Sequence, residues 1–114
     1  MDRHSQAWRE QVQRLNDSYR TQGVGKGSLV LSVGVRAAGQ EFVAAALAAV
    51  REFTAFGADN DPYGEHDFGA FSIEGERVFF KIDYYDLVLC GHSADAADPE
   101  QTHRVLTVML ASEY

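Results

Sequence analysis

"FGAFSIEGERVFFKIDYYDLVL", Phe68 to Leu89, decides how the rest of the chain is read. Two alternating runs flank Glu74-Gly75, a pair suited to a tight turn, so the stretch predicts a β-hairpin. In the second run Val78, Phe80, Ile82 and Tyr84 share one face. Phe79, Lys81, Asp83 and Tyr85 share the other, because successive strand side chains point oppositely. The first set belongs to a core. The second mixes aromatics with charge, which suits a partly covered or functional surface.

Upstream of the hairpin, "EFVAAALAAVREFTAF" predicts a helix over Glu41–Phe56, with Phe42, Val43, Leu47, Val50 and Phe53 as its apolar stripe. Gly57 stands where a glycine ends a helix. "SLVLSVGV", Ser28–Val35, predicts a strand. Further back, Trp8, Val12, Leu15 and Tyr19 mark one face of a helix from Ser5 to Thr21, with Ser5 as N-cap and Gly23 as stop. "QGVGKG" lacks the spacing of a phosphate-binding loop and no strand precedes it, so it reads as a connection. Downstream, Asp98, Pro99 and Gln101 resemble a helix start, and Val105, Leu106, Met109 and Leu110 a buried stripe. This predicts a helix over Thr102–Ala111. The class is α+β, in the order α-β-α-β-β-α. A small antiparallel or mixed sheet of three to four strands should pack against two or three helices. Leu47, Val50, Phe80, Ile82, Leu106 and Met109 should be mostly buried.

The 114 residues fit one domain, 1–114, with residues 1–12 read as an N-terminal extension of the first helix. A composition 46% hydrophobic and 24% charged is that of a globular protein with a real core. A single cysteine, Cys90, excludes an internal disulfide and fits a reducing compartment. No apolar run approaches the roughly 18–20 residues that span a bilayer. The polar start lacks a signal-peptide core. The expected location is the cytoplasm, without membrane contact.

Charge is uneven. Residues 1–57 carry 5 acids and 7 Lys/Arg, giving +2, whereas residues 58–114 carry 12 and 3, giving −9. Such an acidic half repels phosphate backbones and disfavours direct nucleic-acid binding. It suits a partner with a basic surface, or serves solubility alone.

The acids concentrate in "ADNDPYGEHDFG", Ala58 to Gly69. As a calcium loop, Asp59, Asp61, Gly64 and Asp67 take positions 1, 3, 6 and 9, but Tyr63 and Ala70 fail positions 5 and 12. His66 with His92 and Cys90 has no zinc spacing. No metal and no cofactor is therefore expected. Catalysis would need Glu65, His66, Asp67, Lys81 and Asp83 to converge as an acid–base cluster, as in a small hydrolase-like enzyme. "DFG" at 67–69 lacks every other kinase signature. The plainer reading is a turn shaped by Asp, Asn, Pro62 and Gly64, with carboxylates pairing Lys81 or Arg104.

"LNDSYR" (15–20), "DNDPYGEHDFG" (59–69), "FKIDYYD" (80–86) and "RVLTVMLASEY" (104–114) together resemble an uncharacterised bacterial domain family of proteobacterial chromosomes, plasmids and prophages. The resemblance covers about residues 13–114 and carries no known catalytic residue. "CGHSADAADP" departs from its pattern, with Ala96 in place of a proline. Occurrence on mobile elements implies an inhibitor of host defence, of anti-CRISPR or anti-restriction type. The expected function is a small acidic non-catalytic binding protein, acting on a basic surface of a bacterial nucleic-acid-handling or defence protein. Asp59, Asp61, Tyr63, Glu65, Asp67, Asp83, Tyr85 and Asp86 are the expected contact residues.

Overall fold

A computed structural model describes residues 5–114. Of the expected 1–12 extension, residues 1–4 lie outside the described residues. The class is α+β, a mixed four-stranded sheet packed against three helices. The elements are α1 (Gln6–Gln22), β1 (Gly27–Leu31), α2 (Val33–Ala37), α3 (Gln40–Glu52), β2 (Phe68–Ile73), β3 (Glu76–Tyr85) and β4 (His103–Leu110). A 3-10 turn over Ala111–Glu113 closes the chain. The sheet order is β1-β4-β3-β2, with β1 parallel to β4 and the other pairs antiparallel. Among the described residues no helix is long and apolar enough to cross a membrane.

The hairpin forms as its alternation requires. Glu74 (φ 52°) and Gly75 (φ 82°) both take positive φ, the backbone of a two-residue turn whose twist matches its strands. Val78, Phe80 and Ile82 are buried with Leu106 and Val108 against Val35, Phe42, Ala46 and Val50. Gly69 lies opposite Phe80, and a Cβ there would come within 2.2 Å of the Phe80 ring. Phe53 and Phe56 meet that ring edge-on, with centroids at 5.3 and 6.3 Å.

Helix α1 starts and stops where expected. The Ser5 hydroxyl accepts from the Trp8 N–H (3.1 Å), and Gly23 (φ 70°) donates to the Tyr19 carbonyl. Its fully buried stripe, however, is Val12, Asn16 and Arg20, two of them polar.

Three boundaries correct the expectations. The 102–111 segment is a strand, not a helix. Thr102, Arg104, Leu106 and Val108 are buried while His103, Val105 and Thr107 are half-buried, the period of two that a central strand imposes. The apparent helix cap at Asp98 instead closes a tight turn, accepting from the Glu100 N–H (2.9 Å) and from Gln101 Nε2 (2.6 Å). Strand β1 ends at Leu31 because the Ser32 hydroxyl accepts from Val35 N (3.2 Å) and starts α2. Helix α3 ends at Glu52 rather than Phe56. Arg20 Nη1 takes the Val50 and Phe53 carbonyls (2.8 and 3.1 Å), supplying the donor that another helical turn would have provided. Gly57 donates to Asn60 Oδ1 within the following loop. Of the expected core, Leu47 is only half-buried.

Glu113 ties the end of the chain to the start of α2. Its carboxylate accepts from Ser32 Oγ (2.6 Å), Gly34 N (2.9 Å) and Leu110 N (2.8 Å). The Ser32 hydroxyl and the two backbone donors hold its pKa below the usual carboxylate value.

Candidate recognition site

The loop between α3 and β2 folds around its own polar side chains. Asp61 turns inward and its Oδ1 accepts from the backbone N–H of Glu65 (2.9 Å) and His66 (3.1 Å). Asn60 Nδ2 donates to the Ala55 carbonyl (3.2 Å). Gly64 and His66 take positive φ at the bends. Helix α1 fixes the loop from outside it, through Gln13 Nε2 to the Gly64 carbonyl (2.9 Å) and Asn16 Nδ2 to the Glu65 carbonyl (3.0 Å).

This geometry gives most of the acid–base residues partners of their own. His66 stacks on Phe56 (3.9 Å, 6°), and its Nδ1 faces Asp17 Oδ1 at 2.9 Å. Glu65 Oε1 accepts from the Tyr84 hydroxyl (2.8 Å). Lys81 pairs with Asp83. Asp67 is half-buried beside an open space, and apart from its own backbone N–H no donor reaches its carboxylate among the described residues.

That space is a pocket of about 450 Å3 lined by Trp8, Asp67, Asp83, Tyr84, His92 and Asp95, among others. It opens where β2 has ended beside β3: Ile82 N donates to the Asp67 carbonyl (2.8 Å), and Ser93 N to the Tyr84 carbonyl (3.1 Å). Trp8 forms one wall, held by its indole N–H on Asp95 Oδ1 (2.8 Å). Burial, followed by the negative charge of Glu65 and then of Asp61 and Asp83, pushes the Asp67 carboxyl up to about 6.

Beneath the pocket runs a buried polar chain. Arg104 Nε donates to Asn16 Oδ1 (2.6 Å), Asn16 Nδ2 to the Tyr84 hydroxyl (2.8 Å), and that hydroxyl to Glu65. Arg104 also reaches the Ala96 carbonyl (2.6 Å) and lies over the Tyr84 ring. Burial lowers the Arg104 pKa, opposed by Tyr84 and Glu65. Burial first, and then Glu65, raise that of the Tyr84 phenol.

The remaining expected contact residues divide by position. Asp59 and Tyr63 are exposed, with Arg9 over the Tyr63 ring. Tyr85 lies on the sheet face away from α3, stacked on His92. Asp86 accepts from the Cys90 N–H (3.0 Å) and builds the 86–91 turn. Among the described residues no group of three or more His, Cys, Asp or Glu side chains could hold a metal ion. Sequence reasoning missed Trp8 and Asp95 as pocket residues and Asn16 as the centre of the polar chain. Asn16 did carry a signal: a polar residue on the apolar stripe, four after Val12.

A family model described as "Protein of unknown function (DUF3768)" matches residues 31–113. The chain belongs to that family. No curated protein and no solved structure gives a match. The DUF3768 span contains Glu65, Asp67, Tyr84, Asp95 and Arg104, whereas α1, which contributes Trp8 and Asn16, lies before it.

The raised Asp67 pKa sets a stability expectation. The folded state keeps this proton to a higher pH than the unfolded chain, whose carboxyl titrates near 3.8. The resulting stabilisation is complete below that value and is lost as pH rises through about 6. Asp67→Asn should therefore stabilise the fold at neutral pH by about 1–2 kcal/mol, after discounting for solvent screening at a half-open pocket. The gain should vanish near pH 4. Urea melts across that range check it, and a gain independent of pH would contradict it.

Proposed function

We propose that this DUF3768 protein is a small acidic, non-catalytic binding protein that captures basic side chains of a protein partner. The observation that supports it is the Asp67 carboxylate, which has no cationic partner among the described residues and is set with Asp83 and Asp95 in a pocket walled by Trp8. Clustered carboxylates attract an ammonium or guanidinium group, and an indole face adds cation–π attraction. The charge of −9 over residues 58–114 would steer such a partner at long range and repel free nucleic acid. With the bacterial, mobile-element resemblance, the proposed partner is a cytoplasmic nucleic-acid-handling or defence protein with a basic surface, inhibited as anti-CRISPR or anti-restriction proteins inhibit.

Titration with an arginine-rich synthetic peptide, at low and high salt, tests the reading. Asp67→Asn/Asp83→Asn should weaken binding by about tenfold and flatten its salt dependence, while leaving the melt cooperative. Binding should also weaken as pH falls through about 6, where Asp67 loses its charge. An unchanged affinity and salt slope in the double variant would remove the pocket from the docking surface.

One observation favours a second reading. A carboxyl raised to about 6 beside another carboxylate is the pairing that general acid catalysis uses. Asp67 and Asp83 share the pocket, with Lys81 paired to Asp83, while Glu65 and His66 have structural partners elsewhere. In a small hydrolase-like enzyme Asp67 would be the acid, and Asp67→Asn would abolish turnover without weakening substrate binding.

A further inference from the structure

Among the described residues no strand pairs with the outer edge of β1, and a second pocket opens beside it. In the parallel β1–β4 ladder the Arg104 N–H donates to the Lys26 carbonyl and the Ser32 N–H to the Val108 carbonyl. Even-numbered residues of β1 therefore face β4, and the N–H and C=O groups of Gly27, Leu29 and Leu31 point away from the sheet. No hydrogen bond among the described residues uses them. The strand, Gly27-Ser28-Leu29-Val30-Leu31, has none of the charged residues, prolines or bulges that usually block an edge. Leu29 is 47% exposed and Val30 43%.

On the helix side of this edge lies a pocket of about 250 Å3 between α1, α3 and the sheet. Leu29, Leu47, Val50 and Leu106 give it apolar walls. The exposed Arg51, which has no ion pair among the described residues, also lines it. It shares no lining residue with the acidic pocket.

We propose that β1 takes up an extended peptide as a fifth strand, with an apolar side chain seated in this pocket and an acidic residue paired with Arg51. The register supports it. A residue added opposite Leu29 projects to the same face as Leu29, which is the pocket side. Backbone bonds to Gly27, Leu29 and Leu31 supply the affinity, and the pocket supplies selection for a leucine-sized side chain. The unpaired guanidinium selects for negative charge. A second copy of the chain is the competing occupant.

The probe is a panel of eight-residue synthetic peptides in which leucine alternates with glutamate, serine or lysine. Binding is read by amide hydrogen exchange and chemical shifts. The glutamate peptide should bind with a dissociation constant between about 10 μM and 1 mM. It should slow exchange of the Gly27, Leu29 and Leu31 amides by about tenfold or more, with Ser28 and Val30 little changed. Arg51→Glu, at an exposed site, should weaken it about threefold to fivefold and favour the lysine peptide. Leu29→Pro removes an outward donor and keeps the β4 ladder, as proline is tolerated at an edge, and should abolish binding. The proposal is overturned if no peptide protects these amides at about 1 mM, or if both variants bind as the parent does. It is overturned equally if the amides are already protected in the free protein and sedimentation shows a dimer, since a second copy then holds the edge.

Discussion

Phe80→Ala is expected to cost about 3–5 kcal/mol in urea melts, a large fraction of the stability of a domain this size. The ring has no exposed surface and sits where α3, the loop and three strands meet. Phe53 and Phe56 contact it edge-on, and Gly69 leaves it room on the neighbouring strand. Arg20 lies 5.7 Å from its centroid, so truncation also strips an aromatic face from a buried cation whose Nε has no hydrogen-bond partner among the described residues. The neighbouring strands are hydrogen-bonded on both sides of β3, which limits how far the void can collapse. A loss under about 1 kcal/mol would mean the site refills or the ring is not in the core.

Asn16→Ala is expected to cost a similar amount, about 3–5 kcal/mol, for a different reason. It removes few apolar contacts. It takes the acceptor from Arg104 Nε, the donor from the Tyr84 hydroxyl, and the donor from the Glu65 carbonyl. The side chain of Arg104, a residue 4% exposed, would keep only the Ala96 carbonyl as hydrogen-bond acceptor among the described residues. Buried donors left unmatched cost more than the bonds they made contributed. The double variant with Arg104→Ala should lose less than the sum of the single losses, because both remove one network. Additive losses within about 0.5 kcal/mol would show that the two side chains act independently.

The 68–85 hairpin was legible in the sequence because its information is local. Alternation with a turn pair at the centre admits one face assignment, and Val78, Phe80 and Ile82 follow it. The ends of α1 were legible for the same reason, since Ser5 and Gly23 act on their own neighbours. The 102–111 segment was not. Its apolar residues fit either period, and Asp98 and Pro99 suit a helix start as well as a tight turn. Pairing with both β1 and β3 decides for the strand, and neither contact is near in sequence.

The loop divides in the same way. Its composition alone determined that Asp, Asn, Pro62 and Gly64 would shape a turn, because such side chains bond to adjacent backbone. Which acids that turn consumes was decided only by the fold. Asp61 is spent on the loop backbone, Glu65 on Tyr84, and Asp67 is left facing Trp8 from α1. Charge by itself determined that residues 58–114 are acidic, and it required no geometry to do so. The pocket, the buried Asn16–Arg104 contact and the open edge of β1 depend on residues brought together across up to 88 positions of chain. Burial turns those distant polar groups into partners, since only there does an unmatched donor or carboxylate carry a large cost.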